Sequence, residues 1–276
     1  MDRSRYNDLY LPGAHFPDAL QVTTNIDDAL IGAEDVLIVV PSHALRETLE
    51  RLKNSSQPIK HLAWATKGFE TETGLLPHQV VRQVMGTSLP MAVISGPTFA
   101  SEVAAGLPSA VSIASTTEAN ANRLAQAIST DTFRAYTAKD IVGVEVGGAT
   151  KNVLAIGAGI SDGLGFGANT RIAMITRGLI EMTRLGLALG AQKDTFIGLS
   201  GMGDLVLTCS DDQSRNRRFG LGLADGTSVE GLRRKIGQVV EGYYAAKAVY
   251  KVAKKSAESY FKRLVYDLKK INKKYN

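Results

Sequence analysis

The 276-residue chain contains a single cysteine, Cys209, which excludes an internal disulfide and fits a reducing, cytoplasmic setting. Its four histidines (His15, His43, His61 and His78) share no ligand spacing, so no metal site is expected. There is no run of about 18 uncharged apolar residues, so no membrane span is expected. The opening MDRSRYNDLYLPG puts charge and proline where a secretory leader needs an apolar stretch. A G-x-G-x-x-G dinucleotide fingerprint is absent throughout. Aromatic residues make up only 7%, whereas 27 glycines accompany an apolar fraction of 44%, a balance that suits a folded α/β protein.

The net charge of +5 is unevenly spread. From Lys247 to Asn276 ten Lys or Arg face two acids, while residues 1–246 hold 22 basic and 25 acidic side chains, a balance of −3. The basic character belongs to the C-terminal tail, and nucleic-acid binding by the body is not expected.

Short apolar runs alternate with amphipathic segments from residue 36 onward. VLIVVPS, HLAWATKG, MAVISGP, SAVSIAS and FRAYTA read as strands, separated by the helices HALRETLERLK, PHQVVRQVMG, TFASEVAAG and TEANANRLAQAIS. This order predicts a largely parallel sheet covered on both faces. LQVTTNI, residues 20–26, reads as one more strand. After Asp140 the apolar spacing becomes helical and stays so to about Tyr250, predicting an all-helical second part.

The glycine-rich stretch GGATKNVLAIGAGISDGLGFGAN, residues 147–169, resembles a phosphate loop only superficially. Gly157 and Gly159 are followed by Gly163, one residue too late for the fingerprint, and residues 140–156 read as helix rather than strand. On that helix Lys151 shares its face with Val144, Gly147, Gly148, Leu154, Ala155 and Ala158. This small face would admit a bulky group. No acid lies three or four residues away, so a lysine desolvated without a partner, its pKa lowered, would suit acid/base catalysis near neutrality. A snorkelling lysine on a tight helix–helix contact is the other reading, and at this point both stand.

Three further clusters carry chemistry. Lys67 of WATKG falls at the carboxyl end of a predicted strand, where α/β proteins bind ligands, although a lone lysine at a strand end is usually a surface residue. SGPTFASE puts Gly96 and Thr98 in a strand-to-helix turn whose N–H groups would hold an anion; simple strand-to-helix turn chemistry is an equal reading. In SRNRRFG, Ser214 reads as a helix cap ahead of Arg215, Asn216, Arg217 and Arg218. Cations oppose the macrodipole at that position, so three arginines there suggest an anion held between them; a solvated basic face is the plainer alternative. Asp204 and Thr208, in GMGDLVLTC, lie just before this cluster.

At these residues the chain resembles the bacterial NAD(P)-dependent sn-glycerol-3-phosphate dehydrogenases. The resemblance runs through WATKG, VISGPTFASEVAAGLPSA, GGATKNVLAIGAGISDGLGFGANT, GMGDLVLTC, QSRNRRFG and IGQVVEGY, from about residue 6 to about residue 248. It implies reversible reduction of dihydroxyacetone phosphate by NADH or NADPH, giving sn-glycerol 3-phosphate for phospholipid synthesis. It implies that Lys151 is the catalytic acid/base and that Lys67 contacts substrate and cofactor. Gly96, Thr98, Asn152, Asp204, Thr208, Ser214, Arg215 and Asn216 would complete the substrate pocket, with Arg215 and Asn216 on the phosphate. Ala100, Arg215, Val239 and Glu241 would approach the NAD or NADP cofactor. Asp204 would either bind a substrate hydroxyl or orient the lysine. The family also suggests a homodimer.

The fold so implied is α/β. A partial, incomplete doubly wound (Rossmann-like) dinucleotide-binding sheet over residues 1–139 is followed by a helical substrate and catalytic domain over 140–250, and a basic, divergent tail over 251–276. Against the family's pattern, the first strand, glycine turn, helix and second strand are expected to be missing, which would leave VLIVVPS without a neighbour. On these departures a non-catalytic remnant, retaining at most phosphorylated-triose binding, is the alternative to an active enzyme.

Overall fold

The computed structural model describes residue 1 and residues 3–255. A hairpin of β1 (Tyr6–Asn7) and β2 (Leu11–His15) precedes α1 (Ile26–Leu30). There follow β3 (Asp35–Ile38), α2 (Leu45–Lys53), β4 (His61–Trp64), α3 (Pro77–Met85), β5 (Met91–Ser95), α4 (Ala100–Ala104), β6 (Ser109–Ser115), α5 (Glu118–Ile128) and β7 (Phe133–Ala138). From there the chain is helical: α6 (Ile141–Gly163), α7 (Gly167–Ala188), α8 (Asp204–Ser210), α9 (Arg215–Ala224), α10 (Val229–Ile236) and α11 (Glu241–Lys255).

The main sheet runs in sequence order, β3-β4-β5-β6-β7, with β3 at one edge. All pairings are parallel except β5 with β6. Alternate side chains feed two cores. Leu62, Trp64, Met91 and Val93 point to the face covered by α2 and α3, while Ala63, Ala92 and Ile94 point to the face covered by α5. All five residues of β5 are buried, as a strand covered on both sides requires. Helix ends follow local chemistry. Thr117 caps α5 by accepting from Asn120 N, Pro77 opens α3, and Gly237 closes α10 in the left-handed conformation at φ 65°.

Residues 20–25 form no strand. Asn25 instead caps α1, its Oδ1 accepting from Asp27 N at 2.9 Å, and Leu20 is exposed, so the apolar alternation of LQVTTNI finds no sheet to bury it. The predicted helical part begins at α6, the axis of the second half, which packs against α7, α8, α9 and α11. This helix is long and apolar enough to cross a membrane, but 94% of its apolar window is buried inside the protein. Asp140 anchors its start: Oδ1 accepts from Gly143 N at 2.8 Å, and Oδ2 from Gln192 N and Thr195 Oγ1, both at 2.7 Å. At the other end, α11 runs five residues past the expected limit at 250, with Val252 and Ala253 in the core. The rest of the expected basic tail, 256–276, lies outside the described residues.

Candidate active site

Lys151 sits near the middle of α6 with 8% of its surface exposed. It has a partner after all, supplied from 53 residues away: Nζ donates to Asp204 Oδ1 in a short ion pair and to Thr208 Oγ1 at 3.1 Å. The expectation of an unpaired lysine fails because a helix face shows only neighbours on its own helix. Lys67, three residues beyond β4, brings a second ammonium group, which donates to Asp204 Oδ2 at 2.8 Å and to the Gly96 carbonyl at 3.4 Å. One carboxylate, 1% exposed, therefore bridges two lysines.

Two cations sharing one buried anion do not titrate alike. Burial is the largest influence on Lys151 and, with the Lys67 charge beside it, outweighs Asp204 and brings the amine down to about 8. Burial also opposes the charge on Lys67, but there the attraction and hydrogen bond of Asp204 prevail and its pKa rises. Asp204 is disfavoured as an anion by burial, yet the two lysines hold it below the usual carboxylate range.

A single π-helical turn, Leu199–Gly203, delivers Asp204 to this position. It can do so because Gly147 of α6 has no side chain: a Cβ there would strike the Ser200 carbonyl oxygen. A Cβ on Gly148 would stand 3.3 Å from Lys67 Cγ, and one on Gly159 would strike the Arg217 carbonyl of α9. The small face of α6, expected to leave room for a ligand, is filled by protein backbone and by the stem of Lys67. Its glycines bring the charged groups together.

Polar links continue along the same helix. Asn152 Nδ2 donates to Glu241 Oε2 at 2.9 Å, Asn216 Nδ2 donates to Asn152 Oδ1 at 3.0 Å, and Gly242 N donates to Asn216 Oδ1 at 2.9 Å. This chain ties α6, α9 and the start of α11 together. Ser214 caps α9, as read from the sequence, by accepting from Arg217 N at 3.2 Å. The three arginines do not converge on one anion. Arg217 turns inward to Asp162 of α6, at 2.7 Å, and to Asp212 in a short pair, whereas Arg215 donates to Gln238 at 3.1 Å and Arg218 is exposed. Gly96 is bare for packing, because a Cβ would stand 2.9 Å from Val111 Cα on β6.

An open cleft of about 1750 Å³ lies between the carboxyl end of β3 and the helical half. That exceeds the roughly 300–1,000 Å³ of a single small-molecule pocket. Thr98, Ala100, Arg215, Val239 and Glu241 line it. Lys67, Gly96, Lys151, Asn152, Asp204, Thr208, Ser214 and Asn216 are not among the lining residues. They adjoin them through Thr66, which lines the cleft next to Lys67, and through Glu241, which holds Asn152. Sequence reasoning passed over Val39, Pro41 and Phe99 in the lining. The position of VVPS at a strand's carboxyl end was the available signal for the first two. The cleft also carries Arg218, Arg233 and Arg234, alongside the acids Asp211, Asp212 and Glu230.

Two family models match the chain: NAD-dependent glycerol-3-phosphate dehydrogenase N-terminus over residues 1–121, and NAD-dependent glycerol-3-phosphate dehydrogenase C-terminus over residues 140–274. The chain belongs to this family. Glycerol-3-phosphate dehydrogenases [NAD(P)+] of Shigella boydii serotype 18 and Escherichia coli strain K12 are each 53% identical over 254 residues, covering 92% of this chain and 75% of theirs. Among solved structures, glycerol-3-phosphate dehydrogenase from Coxiella burnetii superposes with a TM-score of 0.91 at 42% identity, over 97% of this chain and 86% of its own. The Plasmodium falciparum glycerol-3-phosphate dehydrogenase shares the fold, with a TM-score of 0.88 at 21% identity over 100% of this chain and 79% of its own. The likeness to these dehydrogenases covers both the sheet and the helical half. The charged centre described above lies where the two meet.

Proposed function

We propose that this chain reduces dihydroxyacetone phosphate reversibly to sn-glycerol 3-phosphate, using NADH or NADPH, with Lys151 as the acid that protonates the carbonyl oxygen. The observation that carries this reading is the Lys151–Asp204–Lys67 centre. It holds a buried amine at about 8, where an ammonium group gives up its proton readily near neutral pH. Proton delivery there neutralises the developing alkoxide. Asp204 orients Lys151, and Thr208 accepts its second hydrogen bond. Lys67 shares the Asp204 carboxylate with Lys151 and meets both substrate and cofactor. Gly96 and Thr98 flank the substrate. Ser214 caps the turn that presents Arg215 and Asn216 to its phosphate, a remote group whose binding positions the carbonyl. Asn152 is held ready by Glu241 and Asn216.

The residues present fit a dinucleotide by size and place: the cleft is wide and opens at strand carboxyl ends, with Arg215 and Arg218 among its mixed charges. Ala100, Arg215, Val239, Glu241 and Lys67 would hold the nicotinamide cofactor, which when bound supplies the hydride that reaches the carbonyl carbon. The remnant alternative is not favoured, since the relatives match over 92% of the chain. We extend the reading to a cytoplasmic homodimer, supported by the lone buried cysteine and by the exposed Ile172, Ile180 and Leu187 spaced along α7. Sedimentation at the monomer mass of 29.5 kDa would remove the dimer from this reading.

Purified chain incubated with reduced nicotinamide cofactor should oxidise it only when dihydroxyacetone phosphate is added. Absence of any substrate-dependent loss of the reduced cofactor's absorbance refutes the proposal.

A further inference from the structure

The charged centre is not the only ionisable cluster on α6. Glu145, six residues before Lys151, is also buried, and its side chain has no exposed surface. Its Oε1 accepts from Trp64 Nε1 at 3.0 Å and from His78 N at 2.8 Å; its Oε2 faces His78 Nδ1 at 2.5 Å. Trp64 ends β4 and His78 lies in the first turn of α3. The segment between them carries Lys67. Glu145 thus grips both ends of that segment from the helix that carries Lys151.

We infer that Glu145 is a positioning residue for the two-lysine centre: by binding Trp64 and His78 it sets where Lys67 stands relative to Lys151, so that both reach the same Asp204 carboxylate. The inference rests on the dehydrogenase reading for its kinetic consequence, but its geometric content is separate. Three observations support it. Gly148, three residues along α6 from Glu145, packs its bare face against the Lys67 stem, so a small shift of the segment would move Nζ away from Asp204. Thr66 Oγ1 donates to the Val40 carbonyl at 2.7 Å, which fixes the segment on its β3 side; Phe69 and Leu76 share an apolar core with α6, and Glu145 adds a directional, hydrogen-bonded tie to that helix. Finally, a sealed apolar core is an unfavourable place for an acid. Burial raises the pKa of Glu145 even though His78 and Trp64 oppose the shift. Apolar groups of the same shape often replace a buried hydrogen-bonded pair at little cost to stability, so stability alone does not account for an acid at this position.

The test uses the full chain with Glu145→Leu, Glu145→Gln and Trp64→Phe. It has two readouts: steady-state kinetics with dihydroxyacetone phosphate, and the pH dependence of Lys151 acylation by limiting acetic anhydride, followed by peptide mass spectrometry. In the leucine variant kcat should fall ~10²-fold, the scale of an ångström-sized misplacement, while KM for the triose phosphate holds. The labelling midpoint of Lys151 should move up from about 8 as Lys67 and the dry packing withdraw from it. Glutamine, which keeps an acceptor for Trp64, should restore part of the rate, and Trp64→Phe should lie between it and wild type. If the leucine variant does not fold, the other two decide. Wild-type kcat and an unmoved Lys151 midpoint in folded variants overturn the inference. A wild-type chain without turnover overturns the dehydrogenase reading instead, and the labelling midpoints then judge the positioning role by themselves.

Discussion

Two buried charge clusters sit less than two turns apart on α6, and they are built on opposite principles. Around Lys151, two cations share one carboxylate, with Glu241 a second acid within electrostatic reach, beside an open cleft. Around Glu145, a single carboxylate is surrounded by an indole, a backbone amide and an imidazole, sealed from solvent. On the proposed reading the developing alkoxide is the charge that the first cluster would meet, and burial, aided by the Lys67 charge, brings the Lys151 amine down to about 8. The second is hydrogen-bonded throughout and takes up nothing. One helix thus carries a site poised for chemistry and, within reach of it, a site that holds the geometry still.

Five experiments probe that contrast, taken from the largest expected effect to the smallest. Lys151→Met should lower kcat for dihydroxyacetone phosphate reduction by ~10²–10⁴, the range for loss of a general acid. In the unmodified chain the reduction rate should be level below pH 8 and decline above it, as the ammonium form is lost. The reverse oxidation, which needs the free amine, should rise towards pH 8. A rate indifferent to pH across this range would contradict the assignment of Lys151. Asp204→Asn leaves the two lysines facing each other without their anion. The Lys151 midpoint should drop below about 8, because the group that raises it has gone, and kcat should fall by ~10². An upward shift would show that Asp204 is not the dominant partner. Gly147→Ala presses a methyl group onto the Ser200 carbonyl, displacing the turn that carries Asp204. Overpacking of this kind costs ~1–3 kcal/mol. A melting temperature within a degree of wild type would show that the turn yields freely. Cys209, only 1% exposed and with its thiol pushed up to about 12 by burial, should resist thiol reagents in the native protein at pH 8. Rapid labelling there would mean that the floor of the charged centre opens.

Much of this organisation was legible in the sequence. Strands such as MAVIS announce themselves as unbroken apolar runs between turn residues, and SRNRRFG declared its own cap. Lys151 drew attention through the small residues around it. The reason for those residues was not legible, because the Ser200 backbone and the Lys67 stem that occupy their face come from elsewhere in the chain. Pairing across 53 residues, as between Lys151 and Asp204, leaves no local trace. The role of Arg217 was not legible for the same reason: its acceptor Asp162 is a carboxylate of α6, brought to it from 55 residues away. LQVTTNI had the alternation of a strand but no neighbour to pair with. Glu145 did leave a signal that went unused. A lone acid in IVGVEVGGAT, on a helix otherwise without charge in that stretch, must find donors wherever it is buried.

The partner that Glu145 found has an optical consequence. Trp64 is the chain's one tryptophan, and its indole nitrogen is bonded at the seam between the sheet and the helical half. Under excitation beyond the tyrosine absorption band, emission from this protein therefore comes from a single lamp mounted on that seam. Because reduced nicotinamide absorbs where tryptophan emits, quenching of that lamp by energy transfer would measure cofactor arrival, and the colour of its unquenched emission would register any water that enters the seam, without a label being added.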